Sequence, residues 1–387
     1  MKKVYLDNGS TSFPKAPGVG DSIKRYIEES GANINRGGYQ AAYEVADTVL
    51  ETRTLLKDLF RMGTVRKDLD EHNVIFVPSV TYGLNFILTG ALRPGDRLVM
   101  SSMEHNAVAR PARALSKKGV SVEICPCDSL GRLDLDALDK SLKPDTRLAV
   151  INLASNVSGT LQDAASISSI CSAKNIPLVL DASQAAGAVD IDFDGLGLSG
   201  LCVPGHKGLL GPQGIGAVLM TDELSEMVDP VITGGTGSIS DSMDMPGFLP
   251  DKFEPGTLNL PGIIGLNKAL KYIASETPKA ILSHELKLAG TFIEGILELR
   301  GVRVVGPAGP EGRVGVVSLD FQGLDNAEIA YQLESRFGIM TRCGLHCAPL
   351  AHRTLKTYPG GTVRFTFGYF NTMDETQYAL ESIKSIL

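Results

Sequence analysis

The stretch Val203–Gly216 places one lysine, Lys207, directly after a histidine and among closely spaced glycines and prolines. Glycine tolerates positive φ and lets the backbone approach a ligand, so this composition indicates a pocket wall or a set of tight turns. A lysine enclosed in such a place loses its proton more readily than a surface lysine and can act as an amine nucleophile. A solvated lysine on a glycine-rich loop is the simpler alternative. This stretch alone leaves both open.

Asp181 is the second candidate, because it ends the apolar strand pattern P-L-V-L-D. Taken alone, an aspartate there is more simply a helix N-cap. Combined with Lys207 it has another use, since a pyridoxal phosphate enzyme needs a lysine that forms an imine and an acid that keeps the pyridine nitrogen protonated. Thr81 precedes the helical segment Tyr82–Gly90 and suits a helix N-terminus that binds a phosphate. These residues therefore indicate pyridoxal 5′-phosphate chemistry.

The elements that must position these residues alternate between short apolar segments and helical ones from Asn73 onward. Such alternation predicts an α/β domain with a largely parallel sheet, whose ligands bind beyond the carboxyl ends of the strands. Polar residues stand at those strand ends. The strands predicted from the pattern are Val74–Val77, Arg97–Ser101, Ser121–Cys125, Leu148–Leu153, Leu178–Leu180 and Ile215–Met220. Before them, Tyr39–Met62 predicts a long core-packing helix. The last third predicts a smaller α+β domain with its own loop at Arg342–Leu350.

Composition limits the function classes. The chain has 387 residues, 43% of them hydrophobic and 21% charged, which is typical of a globular protein with two domains. The net charge of −7 argues against a nucleic-acid or anionic-membrane partner. The sequence has no apolar run of membrane-spanning length and no signal-peptide pattern, and its six cysteines suggest neither a disulfide framework nor a zinc site. We therefore expect a cytoplasmic protein with mostly free thiols and no metal.

Eight short motifs, in order along nearly the whole chain, carry a resemblance to a known family. The chain resembles the cysteine desulfurases and selenocysteine lyases of the class V aminotransferase superfamily, which are fold-type-I pyridoxal phosphate enzymes. The resemblance implies an α/β fold with a seven-stranded, mostly parallel sheet in a large domain (16–262) and a small α+β domain (1–15 and 263–387). The motifs are Tyr5–Thr11, Glu104–Ala107, Ser155–Thr160, Asp181–Gln184, Gly205–Lys207, Phe253–Thr257, Arg342–Pro349 and Val363–Thr366.

The resemblance implies a role for each matching position around the cofactor. Lys207 would be the Schiff-base lysine and Asp181 the partner of the pyridine nitrogen. His105 would stack on the ring and relay protons, and Gln184 would hydrogen-bond the ring oxygen. Taken alone, a histidine near a helix start is more simply a surface or capping residue. These assignments therefore depend on the motifs as a set.

The resemblance also implies which residues would contact the cofactor phosphate and the substrate. Thr81 and His206 would contact the phosphate, and Thr257 would reach it from the other subunit of a homodimer. Asn156 would contact the cofactor and, with Arg364, hold the substrate carboxylate, a bidentate task that suits arginine. An exposed edge arginine is the simpler interpretation of Arg364 alone.

Cys347 matches the cysteine that accepts sulfur as a persulfide, and Arg342 opens its loop in the subgroup with an R-x-G-x-x-C pattern. Taken alone, Cys347 is more simply a buried, inert thiol, but His346 and the neighbouring glycine and proline favour an exposed loop. Cys343 could pair with Cys347 in a regulatory disulfide. Pro204 departs from the family, which usually has serine there, and loses both a hydroxyl and a backbone donor.

The sequence therefore predicts a homodimeric, pyridoxal phosphate-dependent cysteine desulfurase that converts L-cysteine to L-alanine and passes sulfur from Cys347 to a protein acceptor. Three alternatives stay open at this point. The first is a selenocysteine lyase that releases selenium from L-selenocysteine. The second is another class V reaction, such as transamination, with Cys347 a bystander. The third is a non-catalytic phosphate-binding or sulfur-carrier scaffold.

Overall fold

A seven-stranded, a four-stranded and a two-stranded sheet, with flanking helices, form the protein in a computed structural model, which describes residues 2–35 and 37–387. The elements as far as the end of the larger sheet are β1 (Val4–Tyr5), α1 (Val19–Arg25), α2 (Gln40–Leu59), β2 (Val74–Val77), α3 (Val80–Ala91), β3 (Arg97–Ser101), α4 (Asn106–Ser116), β4 (Ser121–Cys125), α5 (Leu135–Ser141), β5 (Thr146–Asn152), α6 (Ala164–Ala173), β6 (Leu178–Asp181), β7 (Gly200–Pro204) and β8 (Gly216–Met220). The later elements are α7 (Asp222–Met227), α8 (Leu260–Glu276), α9 (Pro278–Leu297), β9 (Val302–Val305), β10 (Val316–Phe321), α10 (Asn326–Phe337), β11 (Ile339–Met340), β12 (Arg342–Gly344), α11 (Pro349–Thr354), β13 (Thr362–Thr366) and α12 (Met373–Ile386).

The larger sheet has seven strands in the order β2-β8-β7-β6-β5-β3-β4. Its strands run parallel from β7 through β6, β5 and β3 to β4, whereas β8 is antiparallel to both of its neighbours. Helices cover both faces, so β2, β6, β7 and β8 are buried along their whole length and are mostly continuous apolar runs. The prediction of a mostly parallel, seven-stranded sheet is confirmed.

The carboxyl ends of β5, β6 and β7 lie side by side, because Asn152 is in register with Asp181, and Asp181 with Cys202. Two helices begin at the same edge of the sheet. Ser79 caps α3 by accepting from the Tyr82 N–H, and His105 caps α4 by accepting from the Ala107 N–H. A helix N-terminus has unpaired N–H groups and a partial positive charge. This edge therefore combines strand-end polar side chains with two positive helix ends.

The smaller sheet has four antiparallel strands in the order β12-β13-β10-β9. Its outer face packs on α9, α10 and α12 around buried residues such as Phe292, Phe365 and Leu380. The N-terminal strand β1 pairs in parallel with β11, and Asp7 forms a bridge to Thr366 at the end of β13. The chain thus starts on the small sheet and then crosses towards the large one.

Several elements differ from the sequence pattern. The strand β7 was not predicted from the pattern, since its five residues lead directly into the Gly-His-Lys turn. The predicted loop at Arg342–Leu350 is shorter, because β12 and α11 take up its two ends. Helix α8 packs on α1 and α2 in the core of the larger sheet. The domain boundary after residue 262 stays a prediction.

No helix in the described ranges is long and apolar enough to cross a membrane.

Candidate active site

A pocket opens at the carboxyl edge of the larger sheet, between the N-termini of α3 and α4. It brings together seven of the eight predicted cofactor residues, which come from five separate parts of the chain. They are Thr81, His105, Asn156, Asp181, Gln184, His206 and Lys207. The eighth, Thr257, is exposed and lines a different surface pocket with Leu258 and Asn33. Their individual roles stay predictions, but the predicted cluster exists apart from Thr257.

Lys207 follows β7 and is enclosed by the pocket walls. The pKa of its amine is lowered to about 8, chiefly by burial and with a contribution from the charges of Arg364 and Arg342, whereas the nearby Asp181 carboxylate opposes the shift. Asp181 is 1% exposed and is oriented by the Ser183 N–H, which donates to its Oδ1 at 2.9 Å. A lysine with a lowered pKa has more of the neutral, nucleophilic amine at physiological pH. Lys207 therefore has the environment that its predicted role requires.

His105 lies over the pocket at the start of α4. Its Nδ1 accepts from the Ala107 N–H at 3.0 Å, so the neutral ring carries its proton on Nε2. Burial lowers the pKa of His105 to about 4, and the positive charge of Lys207 adds to that, although Asp181 acts the other way. The ring is therefore neutral near pH 7 and can stack on an aromatic ligand or exchange a proton at Nε2.

Glu104 lies directly below this turn and is fully buried. Its Oε1 accepts from the Ser101 hydroxyl at 2.5 Å and from the Asn152 N–H at 2.9 Å, which connects the ends of β3 and β5. Burial raises the pKa of Glu104 to about 8, and the negative charge of Asp181 contributes to that rise. Glu104 is therefore protonated near pH 7. The Asp181 side chain lies at the base of the pocket.

The opposite end of the pocket suits an anion. Thr81 lies in the first turn of α3, where the unpaired N–H groups of the helix favour a phosphate. His206 has a buried Nδ1 with no hydrogen-bond partner in the described part of the chain, and burial lowers the pKa of the ring to about 4. A buried, unpaired ring nitrogen is costly unless a ligand satisfies it. Pro204 lines this end without a hydroxyl or an N–H.

Arg364 is the centre of the predicted substrate contacts and is 2% exposed. Its Nη2 donates to Asp7 Oδ1 at 2.8 Å and to Ser10 Oγ at 2.7 Å, and its Nη1 donates to the Asn156 carbonyl at 3.1 Å. Its Nε has no partner among the residues described. Arg342, in register with Arg364 on the neighbouring strand, donates to the same Ser10 hydroxyl at 2.7 Å. Two guanidinium groups therefore meet at Ser10, and of the two only Arg364 forms an ion pair with a carboxylate among the described residues, which leaves capacity for a second carboxylate.

The N-terminal segment passes between Arg364 and Gln184 at Gly9. A Cβ at Gly9 would lie 2.8 Å from Thr366 Oγ1 and 3.3 Å from Arg364 Cζ, so only glycine fits this close approach. The Gly9 carbonyl accepts from Gln184 Nε2 at 2.9 Å, which leaves the second hydrogen of that amide for a ligand. Asp7, Gly9 and Ser10 belong to the sequence motif Tyr5–Thr11, but the sequence predicted no role for any of them. Their place in that motif is the sequence signal that could have identified them as functional residues.

Cys347 is exposed on a short turn between β12 and α11. His346 and Cys347 both have left-handed backbone conformations, with φ of 47° and 57°. Three hydrogen bonds hold the turn, from Asn106 N–H to the Cys347 carbonyl at 2.8 Å, from Asn156 Nδ2 to the His346 carbonyl at 2.7 Å, and between His346 Nε2 and Thr362 Oγ1 at 2.9 Å. The exposed Cys347 agrees with the prediction, whereas His346 is buried. The backbone of the turn is thus fastened to Asn106 and to the pocket residue Asn156.

Cys343 lies on β12 and is exposed, in register with Val363 of β13. Side chains alternate between the faces of a strand, so Cys343 points away from the face on which Arg342 meets Ser10. All six cysteines are free thiols. No group of three or more histidine, cysteine, aspartate or glutamate side chains within the described ranges could hold a metal ion.

The fold and this site together define an α/β enzyme with a lysine and a strand-end aspartate in one pocket. Residues 4–378 match the family described as Aminotransferase class-V, and the chain belongs to that family. Enzymes of this family use pyridoxal 5′-phosphate. Within it, the chain is 30% identical over 389 residues to a probable cysteine desulfurase of Methanothermobacter thermautotrophicus, with 99% of this chain and 94% of that protein covered. A probable cysteine desulfurase of Pyrococcus abyssi is 29% identical with the same coverage.

Solved structures agree with this assignment. The apo structure of a cysteine desulfurase from Thermococcus onnurineus superimposes with a TM-score of 0.91 at 28% identity and covers 99% of this chain and 94% of that one. An Escherichia coli cysteine desulfurase in an S-sulfonic acid form gives a TM-score of 0.87 at 25% identity, with the same coverage. The sequence-based assignment to the cysteine desulfurase family is confirmed.

Proposed function

We propose that the protein is a pyridoxal 5′-phosphate-dependent cysteine desulfurase, which converts L-cysteine to L-alanine and leaves the sulfur on Cys347. The observation that carries the proposal is the arrangement at one pocket of an enclosed Lys207, the Asp181 carboxylate opposite it, and an exposed cysteine on a turn fastened to the pocket wall. The relatives named above support cysteine as the substrate.

The pocket residues fit the cofactor at both of its ends. Lys207 would hold it covalently, and the Asp181 carboxylate would pair with its pyridine nitrogen. The His206 Nδ1 atom, buried and unpaired, would satisfy its need for a partner at the phosphate, beside Thr81 and the α3 N-terminus. When bound, pyridoxal phosphate supplies an electron sink that stabilises negative charge at the substrate Cα. His105, neutral near pH 7, would cover the ring.

Substrate binding would use the charges that face Ser10. The α-carboxylate of cysteine would bind Arg364, whose planar guanidinium suits two parallel hydrogen bonds, with the Asn156 side chain beside it. Asp7 keeps Arg364 in place through its Nη2, so the arginine is positioned before substrate arrives. Arg342, at the rim, would add a second positive charge.

The chain's own groups would carry the proton and the sulfur. Lys207 Nζ, with its lowered pKa, would accept the proton from the substrate Cα and return a proton to the product. The Cys347 thiolate would attack the substrate sulfur, so that a sulfur–sulfur bond forms while the substrate carbon–sulfur bond breaks. L-Cysteine and the Cys347 thiol thus become L-alanine and a Cys347 persulfide. Because Cys347 is exposed, that persulfide could reach a protein acceptor.

A homodimer is part of the proposal. Thr257 lies outside the Lys207 pocket, as expected for a residue that serves the site of a partner subunit. Leu50 and Phe248 line the same surface pocket as Thr257. The segments 39–50 and 231–248 expose large apolar side chains, which favour a protein interface. They are Tyr39, Tyr43, Leu50, Val231, Ile232, Ile239, Met243 and Phe248.

The testing experiment measures alanine release from L-cysteine and from L-selenocysteine, with wild type beside Cys347→Ser. We expect wild type to release alanine from cysteine, and the variant to lose that activity by about 100-fold or more because serine cannot form a persulfide. A Cys343→Ser control should keep it, since Cys343 faces away from Arg342. A 2-keto acid product in place of alanine would contradict the proposal. Full activity of Cys347→Ser would refute the persulfide role.

A further inference from the structure

Lys15 contacts the turn that carries His206 and Lys207, although it lies in the N-terminal segment. Its Nζ donates to the His206 carbonyl at 2.8 Å and to the hydroxyls of Thr11 and Ser12, both at 3.1 Å. Those two hydroxyls in turn donate to the same carbonyl, at 3.1 and 3.2 Å. The ammonium group of Lys15 is therefore held directly behind the His206 peptide.

The charge of Lys15 has no counter-charge nearby. None of the ion pairs formed by the described residues includes it, and its three hydrogen-bond acceptors are all neutral. Burial lowers the pKa of its amine to about 8. A half-buried cation without a carboxylate is unfavourable unless an anion is bound within its field. The described residues around Lys15 therefore leave its charge unbalanced, and an anion bound on the other side of the His206 turn would balance it.

A phosphate bound at the Thr81 and His206 end of the Lys207 pocket would require positive charge nearby. Of the described residues that line this pocket, Lys207 is the only lysine or arginine, and its amine would be joined to the cofactor ring rather than paired with the phosphate. Burial keeps His206 neutral, and the charges of Lys207 and Lys15 lower its pKa further, so His206 can donate a hydrogen bond but no charge. Pro204 contributes neither a hydroxyl nor an N–H. Thr81 and the α3 N-terminus complete the phosphate end.

We propose that Lys15 is the cation that balances the cofactor phosphate from behind the His206 turn. This inference rests on the proposed function, since it assumes that pyridoxal phosphate binds at Lys207. Lys15 would act as a positioning residue, because it contacts the His206 carbonyl rather than the ligand. Its charge would favour a phosphorylated ligand over the same ring without a phosphate.

The test compares the dissociation constants of pyridoxal 5′-phosphate and pyridoxal for the apoprotein, measured by the absorbance of the bound ligand. Lys15→Gln keeps a hydrogen-bond donor but removes the charge, whereas Lys15→Arg keeps the charge. We expect Lys15→Gln to weaken pyridoxal phosphate about tenfold and pyridoxal about twofold or less, because a cation near a phosphate inside a protein contributes at that scale. Lys15→Arg should keep the wild-type ratio of the two constants. Lys24→Gln, on exposed α1, is the control.

Equal weakening of both ligands by Lys15→Gln would show a purely structural role and overturn the inference. If Lys15→Gln left the ratio of the two dissociation constants at its wild-type value, the inference would be overturned as well. The same holds if Lys15→Arg changed that ratio as much as Lys15→Gln does. If Lys15→Gln does not fold, Lys15→Met, which keeps the apolar stem, gives the same comparison. Failure of wild type to bind pyridoxal phosphate at all would instead refute the proposed function, so the two failures are distinguishable.

Discussion

Replacing Arg364 by lysine gives the most direct test of the substrate site. The side chain makes three hydrogen bonds through two guanidinium nitrogens, to Asp7, Ser10 and Asn156. Lysine keeps the charge but has one nitrogen and cannot form two parallel hydrogen bonds with a carboxylate. The variant therefore separates the geometry of the arginine from its charge.

The expected magnitude follows from one lost charge-assisted hydrogen bond to the substrate carboxylate. Such a bond contributes about 1.5–3 kcal/mol, which corresponds to a fall in kcat/KM of roughly 10- to 150-fold. Arg342→Lys should cost less, since Arg342 is exposed and makes a single hydrogen bond to Ser10. Stability should fall only modestly, because lysine can still pair with Asp7.

The assay measures sulfur transfer from L-cysteine and from cysteamine, which has the same thiol and amine but no carboxylate. Arg364→Lys should lower kcat/KM for cysteine and leave the much slower cysteamine reaction within about threefold of wild type, because only cysteine has a carboxylate to lose contact with. Cofactor content and melting temperature are recorded for each variant. An equal loss with both substrates, or kcat/KM for cysteine within threefold of wild type, would refute a carboxylate contact by Arg364.

Two further predictions concern buried titratable groups. The pKa of Glu104 is raised to about 8 from the ordinary glutamate value of 4.5, so its neutral form is stabilising below pH 4.5, and that contribution is lost as pH rises through 8. Glu104→Gln should therefore reduce the loss of thermal stability between pH 5 and 9, and an identical pH profile in wild type and variant would contradict this. The lowered pKa of Lys207, about 8 against 10.5, makes its charged form destabilising below pH 8, and this penalty disappears between pH 8 and 10.5. Apoprotein Lys207→Met should thus melt at a higher temperature than wild type at pH 7 and should lose that advantage near pH 10.5; a lower melting temperature at pH 7 would contradict the prediction.

The sequence predicted most of the fold, because short apolar segments alternate regularly with helical ones. The parallel strands β3 to β6 and helix α2 follow directly from such patterns. The strand β12 did not, since its three residues, Arg342–Gly344, have no pattern of their own and are ordered by pairing with β13. Local periodicity cannot report a pairing of this kind.

The site could be predicted where residues stand in recognisable motifs, as Lys207, Asp181 and His105 do. The contacts between those motifs, which are made by residues far apart in the chain, could not be predicted. The bond from Arg342 to Ser10 joins positions 332 residues apart, and the bond from Lys15 to His206 joins positions 191 apart. Glu104 was within a quoted motif, but only its complete burial shows that its carboxyl is protonated.

The short segment from Asp7 to Lys15 contacts both ends of the active site, so its presence matters when related chains are compared. Its first half holds Arg364 and Arg342, and its second half holds the His206 turn. A homologue could keep the lysine, the aspartate and the reactive cysteine and still lack this segment. Such a chain would match every catalytic motif. It would nevertheless lack the segment that holds both the two arginines and the His206 turn in position. We therefore expect the nine residues from Asp7 to Lys15 to be needed for activity in related chains.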